Sequence, residues 1–117
     1  KTLLALTYKD IGEYDKATVD FTESLQIDPD HVDAYYERGV SYHELGKSGK
    51  AIADLTKVIV DYTEVYRKNP ALFGVFSQAW AKAHYNRGNA YQELGDKDKA
   101  ASDFAKAKEL RYDPEDE

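Results

Sequence analysis

Residues 35–55, Tyr-Tyr-Glu-Arg-Gly-Val-Ser-Tyr-His-Glu-Leu-Gly-Lys-Ser-Gly-Lys-Ala-Ile-Ala-Asp-Leu, hold the pattern that decides the fold of this chain. The pattern occurs three times. Tyr8, Ile11, Gly12, Ala17, Asp20 and Phe21 return 34 residues later as Tyr42, Leu45, Gly46, Ala51, Asp54 and Leu55. The same set returns 49 residues further on as Tyr91, Leu94, Gly95, Ala100, Asp103 and Phe104. Self-similarity at such a period denotes a repeat architecture, in which one supersecondary unit cannot bury its own apolar face and does so by stacking on its neighbours. Function is then expected on a surface that spans several units.

A length of 117 residues supports one domain, and three repeats are about the minimum for a stable stacked core. The chain has no cysteine, which excludes disulfides and thiolate metal sites and leaves the compartment unread. A formal charge of -6 argues against phosphate binding, because nucleic-acid affinity rests on clustered Lys and Arg. Basic or neutral peptides suit it better. No apolar run approaches the roughly 18 to 20 residues that span a bilayer, and no signal-peptide pattern opens the sequence. Lys1 leads directly into residues that read as helix interior without a cap, so a fragment of a longer protein is expected.

Apolar residues at helical spacing predict a first helix over 2–11 (Leu3, Leu4, Leu6, Tyr8, Ile11), ended by Gly12. A second, over 14–27, turns Ala17, Phe21, Ser24 and Leu25 inward and stops at Asp28-Pro29. Asp30 is the expected N-cap of a third helix reaching Leu45, and residues 46–49 form the next turn. Ala51, Leu55, Val58, Ile59 and Tyr62 then carry a fourth stripe. Fifteen extra residues separate the second and third units. The preferred reading lengthens both flanking helices, the stripe continuing through Val65 and Tyr66, with Asn69-Pro70 as cap and first helical position before Leu72, Val75, Phe76, Ala79, Trp80 and Ala83. That adds about two turns, or roughly 11 Å, to each helix. A separate short helix over 70–80 with a break before Ala83 is the alternative. The last helix is expected from Lys97 to about Arg111, with a polar outer face suited to a capping end, before an acidic tail over 113–117.

These residues resemble the tetratricopeptide repeat, a 34-residue helix-turn-helix with a small residue and an aromatic in its first helix and an alanine and an aromatic in its second. Gly39, Tyr42, Leu45, Gly46, Ala51 and Leu55 match in the second unit. Gly88, Tyr91, Leu94, Gly95, Ala100 and Phe104 match in the third, and Ala5 replaces the glycine in the first. The resemblance implies an all-α, right-handed α-solenoid of three antiparallel helix-turn-helix hairpins within a single domain over 1–117, with units at about 1–31, 32–69 and 70–117. The connection after the second unit is lengthened by 15 residues.

The chain departs from the family at Lys1 and His84, where a large aromatic such as Tyr35 is usual, and at Arg38 and Arg87, where leucine is usual. Asp20, Asp54 and Asp103 recur in step with the arginines. Ion pairs between neighbouring units, Asp20 with Arg38 and Asp54 with Arg87, are the favoured expectation; pairs within a unit, Arg38 with Asp54 and Arg87 with Asp103, are the other.

Catalysis has little support. His31, His43 and His84 are dispersed, His43-Glu44 lacks the second histidine of a zinc helix, and neither a phosphate loop nor a nucleophile elbow is present. No catalytic residue, metal or cofactor is expected. The resemblance instead implies a non-catalytic protein-interaction scaffold holding an extended peptide in a concave groove lined by the first helices. Carried over residue by residue, the groove is Tyr36, Glu37, Val40, His43, Lys82, Tyr85, Asn86, Asn89 and Gln92, together with Thr2, Leu3, Leu6, Lys9 and Asp10 from the first unit and Asp33, Glu44 and Glu93 from the others. Asn86 and Asn89 share one helical face, and an amide offers both the donor and the acceptor that a peptide backbone needs. Family members that grip chaperone carboxylate tails use lysine, asparagine and arginine at places held here by Thr2, Leu6, Glu37, Lys82 and Asn86, which argues against that ligand. Six of the 15 aromatic residues, Tyr62, Tyr66, Phe73, Phe76, Trp80 and Tyr85, fall between positions 62 and 85. They predict either packing of two long helices on each other or a partner or self-association surface.

Overall fold

The computed structural model describes residues 2–110, and the side chains of residues 3–110. Six α-helices follow in chain order: α1 (Thr2–Asp10), α2 (Tyr14–Ile27), α3 (Val32–Glu44), α4 (Ser48–Lys68), α5 (Phe73–Glu93) and α6 (Lys97–Glu109). A 3-10 turn, Pro70–Leu72, lies between α4 and α5. Each helix packs on the ones before and after it in sequence, whereas α1 with α3, and α3 with α5, touch only sparsely. This is an all-helical solenoid of antiparallel hairpins, 34 × 34 × 25 Å in extent. Lys1, the last turn expected at Arg111 and the acidic tail lie outside the described residues.

The three intra-hairpin turns are built alike. Gly12, Gly46 and Gly95 have φ of 82°, 76° and 82°, the left-handed region that penalises any side chain with a Cβ. Around each, the residue after glycine donates its N–H back to a carbonyl one turn earlier: Glu13 to Tyr8 at 2.8 Å, Lys47 to Tyr42 at 2.8 Å, Asp96 to Tyr91 at 3.0 Å. These bonds satisfy carbonyls that a helix end would leave orphaned. The cap of α3 differs from expectation: His31, not Asp30, is the N-cap, its Nδ1 accepting from the Ala34 N–H at 3.1 Å.

The long helices sit where the period breaks. α4 and α5 have 21 residues each, against 14 in α2 and 13 in α3 and α6. No break falls before Ala83, since α5 runs unbroken from Phe73; Pro70 opens only the short turn, and the Asn69 side chain makes no cap bond. The core has two centres. Ala5, Ala17, Phe21, Leu25 and Ala34 pack between α1, α2 and α3. Val58, Ile59, Tyr62, Tyr66 and Ala83 pack between α4 and α5, with Tyr35, Tyr36, Phe76 and Trp80 against them. Complete burial of Phe21 contributes about 2–3 kcal/mol.

Inside each later hairpin the two helices approach at a glycine. A Cβ at Gly39 would lie 3.0 Å from Leu55 Cγ, and one at Gly88 would lie 2.8 Å from Phe104 Cε1. Beside each glycine an arginine clasps the aspartate of the same hairpin. Arg38 donates Nε and Nη2 to Asp54 at 2.8 and 2.7 Å, and Arg87 does the same to Asp103 at 2.8 and 2.7 Å. The expected pairs between units, Asp20 with Arg38 and Asp54 with Arg87, are therefore not formed. The approach at glycine brings the second helix's aspartate within reach, its Cβ lying 3.2 Å from the point where the glycine's own Cβ would be. Arginine does cross to the preceding unit, but to a threonine: Nη1 of Arg38 donates to Thr22 at 3.1 Å and that of Arg87 to Thr56 at 3.2 Å. Asp20, in a unit that has Leu4 at the position of the arginines, keeps a buried Oδ2 without a hydrogen-bond partner among the described residues. In the third unit His84, standing where Tyr35 stands in the second, adds an Nδ1 contact of 2.9 Å to Asp103.

Gly88→Ala should destabilise the fold by about 1–3 kcal/mol through overpacking. Gly74→Ala, with nothing within 4 Å of the added methyl, should gain up to about 0.5–1 kcal/mol from helix propensity. Urea unfolding of both variants checks this, and equal stability of the two would refute the close-approach role. Burial alone would raise the Asp103 carboxyl, but hydrogen bonds from Arg87 and His84 outweigh it and hold it below the usual range. Its folded pKa is thus lower than its unfolded one, near 4 in an ordinary carboxylate. Its stabilisation is complete above about pH 4 and is lost as pH falls through the lower folded value. Thermal melts from pH 7 to 2 should show the difference between the protein and Asp103→Asn shrinking across that window; a constant gap rules the linkage out.

Candidate functional site

The first helices of successive hairpins touch only sparsely, and polar side chains link one to the next. Lys9 of α1 pairs with Glu37 of α3. Asn86 of α5 donates its amide to the Tyr36 hydroxyl of α3 at 3.0 Å and to its own helix at Lys82 O, 2.9 Å away. His43 Nε2 lies 3.2 Å from Glu93 Oε1, while Glu93 Oε2 accepts from Ser48 Oγ at 2.9 Å. The amide hydrogens of Asn86 are therefore committed within the protein, and its carbonyl oxygen is the group it can offer a peptide.

Beside the Tyr36–Asn86 bridge lies a cleft of about 250 Å³. Its floor is Val58 and Tyr62 of α4, Asp33, Tyr36 and Glu37 line it from α3, and Gln78, Ala79 and Lys82 from α5. Val58 and Tyr62 are buried and Asp33 and Gln78 exposed. Burial, then the nearby charge of Asp33, push the Tyr62 phenol up.

Of the groove residues expected from sequence, the cleft gathers Asp33, Tyr36, Glu37 and Lys82. Val40, His43, Asn86 and Asn89, all half-buried, and exposed Gln92 fall outside its lining. Tyr85 packs its ring on Phe104, 5.5 Å away, within the third hairpin. The floor residues and Gln78 and Ala79 were not expected in the groove, which was drawn from first helices and from the third unit's matching positions alone. Tyr62 was assigned to the other surface.

Of the two roles expected for the aromatics over 62–85, packing of the long helices on each other accounts for Tyr62 and Tyr66. Tyr62 and Tyr66 are 9% and 8% exposed, because they form the packing between the long helices. Tyr62 meets Phe76 at 5.6 Å, and Tyr66 meets Phe73 at 5.5 Å and Trp80 at 4.7 Å. Trp80 is also covered by the Lys106 ammonium, 5.0 Å from its ring centroid. What stays open is the tip, where Phe73 is 47% and Val75 68% exposed.

Among the described residues no group of three or more His, Cys, Asp or Glu is placed to hold a metal ion. No described helix is long and apolar enough to cross a membrane.

Solved structures with the same arrangement include one titled "MamA MSR-1 C2", 24% identical over 94% of this chain and 55% of that one, with a TM-score of 0.73. The chain thus spans little more than half of that protein's length. The N-terminal domain of stress-induced protein-1 (STI-1) from C. elegans is 24% identical over 97% of this chain and 84% of that one, with a TM-score of 0.76. At these identities the likeness speaks for the fold alone. No curated protein sequence matches. Models described as TPR repeat and tetratricopeptide repeat match residues 5–46, 33–64 and 81–111, which together take in each of the three glycine turns. The chain belongs to the tetratricopeptide repeat family.

Proposed function

We propose that the chain is a non-catalytic scaffold that binds an extended segment of a partner protein in the groove between α1, α3 and α5. Tetratricopeptide repeats in general serve as protein–protein interaction modules. The observation that carries the reading is the cleft over Val58 and Tyr62, an apolar floor rimmed by polar groups of two hairpins. The Asn86 carbonyl, Asn89, Gln92 and Val40 extend this surface along the groove, where a peptide backbone finds both donors and acceptors. In an affinity capture from source-cell extract, Asn89→Arg, which fills the groove, should lose the partner, while Val60→Arg on the exposed face of α4 should retain it. Loss by both variants, or by neither at matched thermal stability, counts against the groove.

The exposed tip favours a second reading, assembly of copies through Phe73 and Val75. Light scattering over a concentration series should then show mass rising with concentration, and Val75→Lys should hold the chain monomeric. A constant monomer mass for the unmodified protein removes this reading.

A further inference from the structure

We infer that the α3–α5 cleft is a subsite for one lysine or arginine side chain of the bound peptide, with Asp33 reading its charge; this rests on the groove reading above. At about 250 Å³ the cleft has room for a single large side chain. Its lower part is apolar, with Val58, Ala79 and the Tyr36 and Tyr62 rings, and suits the methylene stem of a long cationic residue whose charged head stays near water. Two tyrosine rings are in the lining, and a cation is attracted to a ring face it can reach. The chain makes the same contact internally, where Arg38 sits 5.7 and 5.6 Å from the ring centroids of Tyr35 and Tyr42.

The mouth carries three charges. Glu37 is met by Lys9, and Lys82 already has an interaction within the chain. Asp33 is exposed and has no ion pair among the described residues. Its field acts on the Tyr62 phenol, so the carboxylate bears on the cleft. The same field favours an incoming ammonium or guanidinium, as does the chain's net charge of -6.

A display selection of random ten-residue peptides on the whole chain tests this. Groove occupancy is scored by loss of binding to Asn89→Arg. Expected are groove-dependent peptides sharing one lysine or arginine, whose affinity falls about tenfold with Asp33→Asn and is kept by Asp33→Glu. The salt dependence of that affinity should flatten in Asp33→Asn. Groove-dependent peptides that share an apolar or acidic residue instead, or that bind Asp33→Asn equally well, overturn the cation subsite while the groove reading stands. Peptides indifferent to Asn89→Arg, or no enriched peptide at all, overturn both.

Discussion

The rest of the structure depends on the close approach of two helices at Gly39 and Gly88. The absence of a Cβ lets Leu55 and Phe104 reach the backbone of the facing helix, and it brings Asp54 and Asp103 beside Arg38 and Arg87. Arginine and glycine are adjacent in sequence, so one residue admits the second helix and the next binds the acid it carries. Removing two such charges from water offsets much of what their attraction returns, so the net stability is smaller than two charged hydrogen bonds would suggest. Its consequence is register. Each guanidinium also reaches Thr22 or Thr56 of the preceding hairpin, so a single side chain fixes three helices relative to one another. A hairpin rotated or shifted by one residue would strand a buried charge.

The spacing of the first helices follows from that register. With second helices clasped to their partners and to the next hairpin, the first helices of successive hairpins touch only sparsely, and polar side chains link them beside the shared apolar core. The Lys9–Glu37, Tyr36–Asn86 and His43–Glu93 contacts tie each first helix to the next. The cleft is the place where α4, visible between α3 and α5, supplies an apolar floor.

Much of this was legible from the sequence because helical periodicity and glycine turns are local. α2 spans 14–27 as its stripe and the Asp28-Pro29 stop imply, and Gly12, Gly46 and Gly95 take the left-handed conformation that a glycine after a helix announces. Pairings were less legible. Asp20 and Asp54 stand at comparable sequence distances from Arg38, and periodicity cannot say which helix comes closer. A usable signal existed in the Arg-Gly dipeptide and in threonine two residues after Asp20 and Asp54. The cleft floor was missed for a related reason. A groove drawn from first helices omits a second-helix residue such as Val58, and the aromatic stripe through Tyr62 and Tyr66 reads equally as packing or as surface until the partner helix is placed.

The aromatic cluster has its own logic. Where α4 and α5 run on beyond the shorter helices they have mainly each other to pack against, and a pair of helices buries enough apolar area only with large side chains. Tyr62, Tyr66, Phe76 and Trp80 supply it, with ring centroids 4.7 to 5.6 Å apart and stiff side chains that lose little entropy on packing. The phenol of Tyr66 even reaches the Phe73 carbonyl, 3.4 Å away at the start of α5. The extension therefore holds the floor of the cleft in place before any ligand arrives. On the groove reading, a partner side chain entering over Val58 and Tyr62 would meet a surface already ordered by its own packing, and less of the binding energy would be consumed in fixing the receptor.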